Sequence, residues 1–309
     1  MLRISSSSAF DTSVANLQRR QQALSEAQIQ LTSGKRVLRP SDDPAAAAQA
    51  ERALAKMTRS DSQQRALDTA HSVMQLSESA LGDAGGILQQ ARDLLVSAGN
   101  GSYGDAARKS IGDNLRSLRN DLLTVANRGD GNGRYLFGGQ GSDGEPLKDA
   151  PGGVVYSGTS GAMNAATGEA MPLSMDGGAV WLQAADPANP GAVVSVFDAL
   201  DRAIGELTTS GRTGAQVMQT VTQGLTGIDI AASNLSGWRA AAGETLNRAD
   251  SVGSRLSQAK LDAQTQRSDA EDLDMVQAVS DFQAKQTGYD AALKTYSLVQ
   301  RMSLFDFIK

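Results

Sequence analysis

The chain has 309 residues, of which 40% are hydrophobic and only 4% aromatic, and its formal net charge is −5. Few large side chains are available to fill a core, so the composition favours long polar helices with narrow apolar stripes, and the acidic balance excludes the clustered basic surface that nucleic-acid binding requires. The sequence contains no cysteine and one histidine, His71, which excludes disulfides, thiolate chemistry and multi-histidine metal sites.

The first residues lack the apolar segment of a cleavable secretory signal. Nowhere does the chain reach the roughly 18 consecutive apolar residues that a membrane-crossing helix needs. We therefore expect no membrane partner, and we expect the protein either to stay in the cytoplasm or to leave the cell by a route that uses no such signal. No motif described below predicts a cofactor.

The first predicted helix carries an apolar stripe with a seven-residue repeat. Its members are Phe10, Leu17, Leu24 and Leu31. Two stripe positions between them hold the polar residues Gln21 and Gln28. Gly34 follows the last stripe residue, and a glycine there is typical of a helix that ends in a left-handed conformation.

A corner follows this helix. Pro40 disfavours a helical conformation at the residue before it. Asp43 is a good N-cap residue, and Pro44 fits the first helical position, where its missing N–H is not needed. The segment therefore predicts a helix, a corner and a second helix.

The second predicted helix is long and alternates large and small residues on one stripe, as closely packed helix pairs do. The stripe consists of Leu67, Ala70, Met74, Ser77, Leu81, Ala84, Leu88, Ala91, Leu95 and Ala98. A turn near residue 100 leads to a third helix with Ile111, Leu115, Leu118, Leu122 and Val125 on one face. The short connection predicts an antiparallel hairpin.

From residue 134 to 193 the helical period disappears, and Gly and Pro are frequent. Residues 135–137, 154–156 and 180–182 are predicted to be short strands of a small inserted β-rich domain. Residues 139–144 match the pattern G-x-G-x-x-G, but prolines follow where a dinucleotide site needs a helix. This match therefore favours a glycine-rich turn.

Helices return after the β-rich segment. A short amphipathic helix presents Phe197, Leu200, Ile204 and Leu207 on one face, and a long helix runs from about residue 214 to the mid-260s. The acidic cluster Asp269, Glu271, Asp272 and Asp274 is interpreted as the N-terminus of a last helix rather than as a metal or acid–base site. That helix carries Met275, Phe282, Tyr289 and Tyr296 at seven-residue spacing, with Val279 and Leu293 beside them, a polar Gln286 in the stripe, and an apolar end that includes Leu304 and Phe305.

The sequence predicts a mainly α fold in which both chain ends form long antiparallel helical hairpins or a coiled coil around the inserted β-rich domain. The predicted divisions are an N-terminal assembly helix and corner (1–43), two parts of a helical body (44–133 and 194–268), the β-rich domain (134–193) and a C-terminal assembly helix (269–309). Helices with such thin, glutamine-interrupted stripes are marginal alone. We expect the ends to fold on assembly, through the stripe residues named above for the first and last helices.

Both ends resemble the flagellin superfamily. The resemblance rests on Leu31–Val37, which includes Gly34, on Pro40-Ser41-Asp42-Asp43-Pro44, on Gly133-Arg134-Tyr135-Leu136-Phe137-Gly138-Gly139, and on Ala291–Tyr296 with Leu304–Ile308. The two prolines and the 133–139 motif resemble the hook–filament junction subgroup, hook-associated protein 3, more than filament flagellin.

The resemblance implies a structural protein of the bacterial flagellum. Members of this subgroup form a ring near the top of the hook and join hook-associated protein 1 to flagellin. They leave the cell unfolded through the flagellar type III export channel, after a dedicated chaperone has held the C-terminal helix. For this chain the resemblance implies an extracellular location, a homo-oligomeric ring and no enzymatic activity.

Three other functions remain open from the sequence. Filament flagellin belongs to the same superfamily, and it would polymerise into long filaments. A cytoplasmic signalling or scaffold protein of the chemoreceptor type would keep long heptad helices but would have no β-rich insertion. An enzyme in the β-rich segment is a third alternative, although that segment has no histidine, no cysteine and no complete group of catalytic charges.

Overall fold

The computed structural model describes the backbone of residues 3–306 and the side chains of residues 10–298. The helices are α1 (Arg3–Ser33), α2 (Pro44–Ala98), α3 (Asp105–Ala126), α4 (Val196–Thr208), α5 (Gly214–Glu271) and α6 (Met275–Asp306). The chain divides into two compact units, which are residues up to 60 with residues from 258 onward, and residues 61–257. The prediction of a mainly α fold with a small β-rich insertion is confirmed.

In the 61–257 unit, α2 and α5 pack side by side and run antiparallel. Two ion pairs and one further contact join them in opposite chain order. The ion pairs are Arg92–Asp229 at 3.0 Å and Glu78–Arg239 at 2.7 Å, and His71 Nε2 lies 3.5 Å from Asp250 Oδ1. Every residue of the predicted α2 stripe is at most 3% exposed. The alternation of large and small residues therefore forms the core seam of this unit, as the sequence predicts.

Helices α3 and α4 complete this core. Arg128, just beyond the end of α3, pairs with Asp83 of α2 at 2.8 Å, as an antiparallel hairpin requires. All four apolar residues predicted for one face of α4 are buried. The Ser195 hydroxyl accepts a hydrogen bond from the Asp198 amide at 3.2 Å and so caps the start of α4.

The inserted segment forms three antiparallel strand pairs. They are β1 (Leu147–Ala150) with β2 (Gly153–Tyr156), β3 (Asn164–Ala166) with β4 (Ala170–Pro172), and β5 (Ala184–Ala185) with β6 (Val193–Val194). The predicted strand at 154–156 is confirmed within β2. The six strands are short, and their segment shares its core with the helices around it.

The other two predicted strands are wrong. Tyr135 makes only an isolated bridge with Gly129, and Leu136 and Phe137 lie in a turn. Residues Gly178–Leu182 form a π-helical turn. Both runs are apolar because most of their residues are buried, and a short apolar run does not distinguish a strand from a buried turn.

The ring of Phe137 meets that of Trp181 edge to face, with centroids 5.1 Å apart. Residues 139–144 form bends and turns, and β1 is the next regular element, which confirms the interpretation of the glycine-rich pattern. Over the described part of the chain, no helix combines the length and apolar character that crossing a membrane demands.

Candidate assembly surface

In the unit built from the two chain ends, α1 and α6 pair in antiparallel fashion. Three contacts give their register. The ring centroids of Phe10 and Tyr296 are 5.8 Å apart, and Arg20 Nη1 lies 3.0 Å from the position that a Cβ on Gly288 would occupy. Just beyond the two helices, a backbone bridge joins Lys35 and Asp272. This register places Leu17 level with Tyr289, Leu24 level with Phe282, and Leu31 level with Met275. The two predicted stripes therefore lie at matching levels along the pair, and they are in contact at Phe10 and Tyr296.

The α1–α6 pair covers these stripes only in part. Leu17, Leu24, Leu31, Phe282, Tyr289 and Tyr296 are half-buried, and Phe10, Met275, Val279 and Leu293 are exposed. Leu304 and Phe305 lie outside the residues whose side chains are described. Among the described side chains of α1 and α6, Ala27 alone is fully buried. This surface is therefore apolar and open, in contrast to the closed core of the 61–257 unit.

The stripe glutamines are not covered by the pairing. Gln21, Gln28 and Gln286 are all exposed. Val276 of α6 is 82% exposed, which is unusual for a β-branched apolar residue in a helix. A surface that covered the pair could bury these side chains and supply hydrogen-bond partners for the amides.

The corner motif connects α1 to α2. Gly34 has φ +70°, which confirms the predicted left-handed helix end. The Asp42 carboxylate accepts hydrogen bonds from the amides of Leu38 and Arg39, at 3.1 and 2.8 Å. Asp43 accepts from the Ala46 amide at 3.0 Å, which confirms it as the N-cap of α2, with Pro44 as the first helical residue. The Arg39 and Ala46 amides are the main reason why the pKa values of Asp42 and Asp43 lie below the usual range.

The acidic cluster before α6 is only partly as predicted. Asp269 and Glu271 lie in the last turn of α5, so their assignment to a helix N-terminus is wrong. Asp274 does begin α6, since its Oδ1 accepts from the amides of Val276 and Gln277 at 3.0 and 3.2 Å. The sequence does not place this boundary, because no Gly or Pro marks the end of α5.

The contacts between the residues after α1 and the end of α5 could not be predicted from the sequence. Lys35 and Arg36 directly follow the end of α1 in the sequence, but they reach residues at the end of α5. Lys35 Nζ lies 3.2 Å from Glu271 Oε1, and Arg36 Nη2 donates to the Ala270 carbonyl at 2.7 Å. The facing acidic run is the one signal in the sequence that could have indicated these pairs.

The second motif, residues 133–139, lies in the 61–257 unit and anchors the insertion there. Leu136 and Phe137 are completely buried. Gly139 has φ +64°, and a Cβ at this position would lie 1.9 Å from the Thr159 carbonyl oxygen. The glycine is therefore required by both its backbone conformation and the close approach of another backbone segment.

Two protein-family models match the helical ends. The bacterial flagellin N-terminal helical region matches residues 4–142, and the bacterial flagellin C-terminal helical region matches residues 225–308. These matches include the corner motif, the 133–139 motif and the α1–α6 pair.

Relatives and solved structures match the chain over most of its length. It is 31% identical to flagellar hook-associated protein 3 of Escherichia coli over 91% of each chain. It is 28% identical to flagellar hook-associated protein 3 of Salmonella typhimurium over 98% of this chain and 99% of that protein. A flagellar hook-associated protein structure from Vibrio parahaemolyticus has the same fold, with a TM-score of 0.65 and 23% identity over 75% of this chain and 100% of that one. The chain therefore belongs to the flagellar hook-associated protein 3 family, a family of structural proteins within the flagellin superfamily.

Proposed function

We propose that this chain is the adaptor between hook and filament in the bacterial flagellum. Identical copies form a ring that contacts hook-associated protein 1 on one side and flagellin on the other. The observation that carries the proposal is the open α1–α6 pair, whose apolar stripe residues stay half-buried or exposed. A ring of neighbours would bury them and so give the ends their order.

The proposed assembly segments are residues 1–43 and 269–309. Within them the interface consists of Phe10, Leu17, Leu24, Leu31, Met275, Val279, Phe282, Tyr289, Leu293 and Tyr296, together with Leu304 and Phe305. Residues 61–257 form a compact unit of their own, in which the α2 stripe and the insertion pack together in two buried clusters. The chain ends would then carry out assembly, and residues 61–257 would form the body of the subunit.

The same features support export in an unfolded state to the outside of the cell. A chain without cysteines cannot form disulfides on the way. Ends with few fully buried side chains gain little free energy from folding before they reach their neighbours. A type III export chaperone that covers α6 would shield exposed residues such as Val276 until then.

Filament flagellin is the main alternative, since the flagellin models match both ends of this chain. The relatives that match nearly the whole chain at 31% and 28% identity are hook-associated proteins, and this favours the junction. A chemoreceptor-like scaffold is disfavoured by the three strand pairs inserted between the helices.

Deleting the gene distinguishes these functions. We expect the deletion strain to build hooks but no filaments and to shed flagellin into the medium, as electron microscopy and blots of the medium would detect. Complementation with the full chain should restore swimming. Filaments of normal length in the deletion strain would contradict the junction function, and loss of the filament without flagellin in the medium would favour the filament subunit.

A second prediction concerns the order of the ends before assembly. In the purified monomer, we expect backbone amides of residues 10–31 and 282–298 to exchange hydrogen at close to unprotected rates. Amides of residues 74–95, in the buried seam of α2, should be protected by about 1,000-fold or more. Mass spectrometry of peptides from both regions provides the internal comparison. Strong protection throughout both ends would rule out folding coupled to assembly.

A further inference from the structure

Two breaks in the helices lie side by side in the unit formed by the chain ends. One is the corner between α1 and α2, residues 34–43, and the other is the gap between α5 and α6, residues 272–274. The Leu273 amide donates to the Gly34 carbonyl at 2.9 Å, and the Arg36 amide donates to the Glu271 carbonyl at 2.8 Å. We call this pair of hydrogen-bonded breaks the corner joint.

Arg36 connects three helices at the corner joint. Its Nη2 donates to the carbonyl of Ala270, one of the carbonyls that the end of α5 leaves without a helical partner. Its Nη1 donates to the Asp43 carboxylate at 3.0 Å, and that carboxylate caps α2. Its own carbonyl accepts from the Gln30 side chain of α1 at 3.1 Å. The positive charge also lies at the negative end of the α5 dipole.

The joint has a small core and further ion pairs. Val37, Ala46, Ala50 and Ala270 are each at most 7% exposed and form one cluster. Glu271 is contacted by Lys35 at 3.2 Å and by Arg267 at 2.8 Å. The joint therefore packs on a small buried cluster, while its own residues other than Val37 are half-buried or exposed.

Two helices that are marginal alone pair more readily when their adjoining ends are already held in contact. Holding those ends removes most of the loop-closure entropy and gives each helix a high effective concentration for the other. It also sets the register. Without it, a pairing of the two heptad stripes that is shifted by seven residues would be nearly as stable as the unshifted pairing. At the joint, the register begins with Leu31 level with Met275.

We propose that Arg36 is the positioning residue of the corner joint, which holds the adjoining ends of α1 and α6 together and sets the register in which the two helices pair. The proposal concerns contacts within one chain. It can therefore fail or succeed independently of the junction function.

Hydrogen exchange on the full-length chain tests the joint itself. We expect Arg36→Gln to accelerate exchange about tenfold or more in peptides that cover residues 34–38 and also in those that cover 271–275. Arg39→Gln removes an equal charge three residues away. Both arginine side chains are exposed, so the two variants differ in the hydrogen bonds of the Arg36 guanidinium, and Arg39→Gln should change exchange in both regions by less than about twofold. Unchanged protection of residues 81–95 verifies that each variant is folded. The proposal is wrong if the wild-type joint is unprotected, or if Arg36→Gln affects only residues 34–38.

Register is tested by cross-linking, which is simple because the chain has no natural cysteine. The pair Leu31→Cys with Met275→Cys is in register, and the pair Leu24→Cys with Met275→Cys is one heptad out of register. We expect the in-register disulfide to form about ten times faster in the wild-type background. Arg36→Gln should abolish most of this preference, and Arg36→Lys should restore part of it because the charge remains. An unchanged preference with Arg36→Gln would overturn the assignment.

Discussion

Replacing Gly139 by alanine is expected to lower the free energy of unfolding of the 61–257 unit by about 3–5 kcal/mol. The left-handed backbone, φ +64°, disfavours any residue with a Cβ. The added methyl group would also lie 1.9 Å from the Thr159 carbonyl oxygen and 2.5 Å from the Tyr156 hydroxyl. Because one of these neighbours is backbone, the loop between β2 and β3 would have to move.

Gly133 provides the matched control for this substitution. It lies in the same motif with φ +83°, and a Cβ there would meet no atom within 4 Å. Gly133→Ala should therefore cost about 1 kcal/mol, from backbone conformation alone. Urea unfolding followed by tryptophan fluorescence measures both, because the two tryptophans, Trp181 and Trp238, are in this unit. Equal losses for the two variants would mean that the close approach at Gly139 is not important.

The helices of this protein could be predicted because each carries one regular stripe. The ten stripe residues of α2 are spaced for burial, and all ten are buried. The predicted face of α4 is also buried. Local sequence specifies such helices because the repeat, the caps and the absence of proline in their interiors agree with one another.

The turns of the insertion could not be predicted in the same way. Trp181 and Leu136 are in short apolar runs, and burial from all sides produces such runs whether the backbone is extended, turned or helical. Their conformation depends on partners elsewhere in the chain. The Leu136 carbonyl accepts from the Met175 amide at 2.8 Å, across 39 positions of sequence that contain no repeated pattern.

The antiparallel pairing of the chain ends could be predicted from the two stripes, and the rings of Phe10 and Tyr296 do meet. That these stripes form an assembly surface stays a prediction, and the joint could not be predicted. The contact of Arg36 could not be predicted, because its partner Ala270 is 234 positions away. A carbonyl at a helix end leaves no mark in the sequence, so this contact requires the structure.

The second large effect is expected at Arg119, whose side chain is 8% exposed and lies between two carboxylates. Its guanidinium donates to Asp149 of β1 through Nη1 at 2.8 Å and to Asp201 of α4 through Nε at 3.0 Å. Its Cζ also lies 5.5 Å from the centre of the Phe197 ring. These contacts fix the β1–β2 hairpin to α3 and α4.

Arg119→Met keeps the apolar stem and removes the charge. We expect a loss of about 2–3 kcal/mol in the same fluorescence-monitored unfolding, because both carboxylates are exposed enough to be hydrated afterwards. Arg116→Met is the control. Arg116 is on the same helix and pairs with Asp113 at 2.6 Å, but both side chains are 51% exposed, so the change should stay within about 0.5 kcal/mol.

The pH dependence separates charge from packing at Arg119. Hydrogen bonds from its guanidinium hold the pKa of Asp149 below the usual range. A carboxyl whose pKa is lower in the folded state stabilises the fold fully above its unfolded pKa of about 3.9, and this contribution is lost as the pH falls through the folded value. The difference between wild type and Arg119→Met should therefore be constant from about pH 8 to pH 5 and narrow below about pH 4. A difference that persists undiminished at about pH 2.5 would assign the loss to packing against Phe197 rather than to the ion pairs.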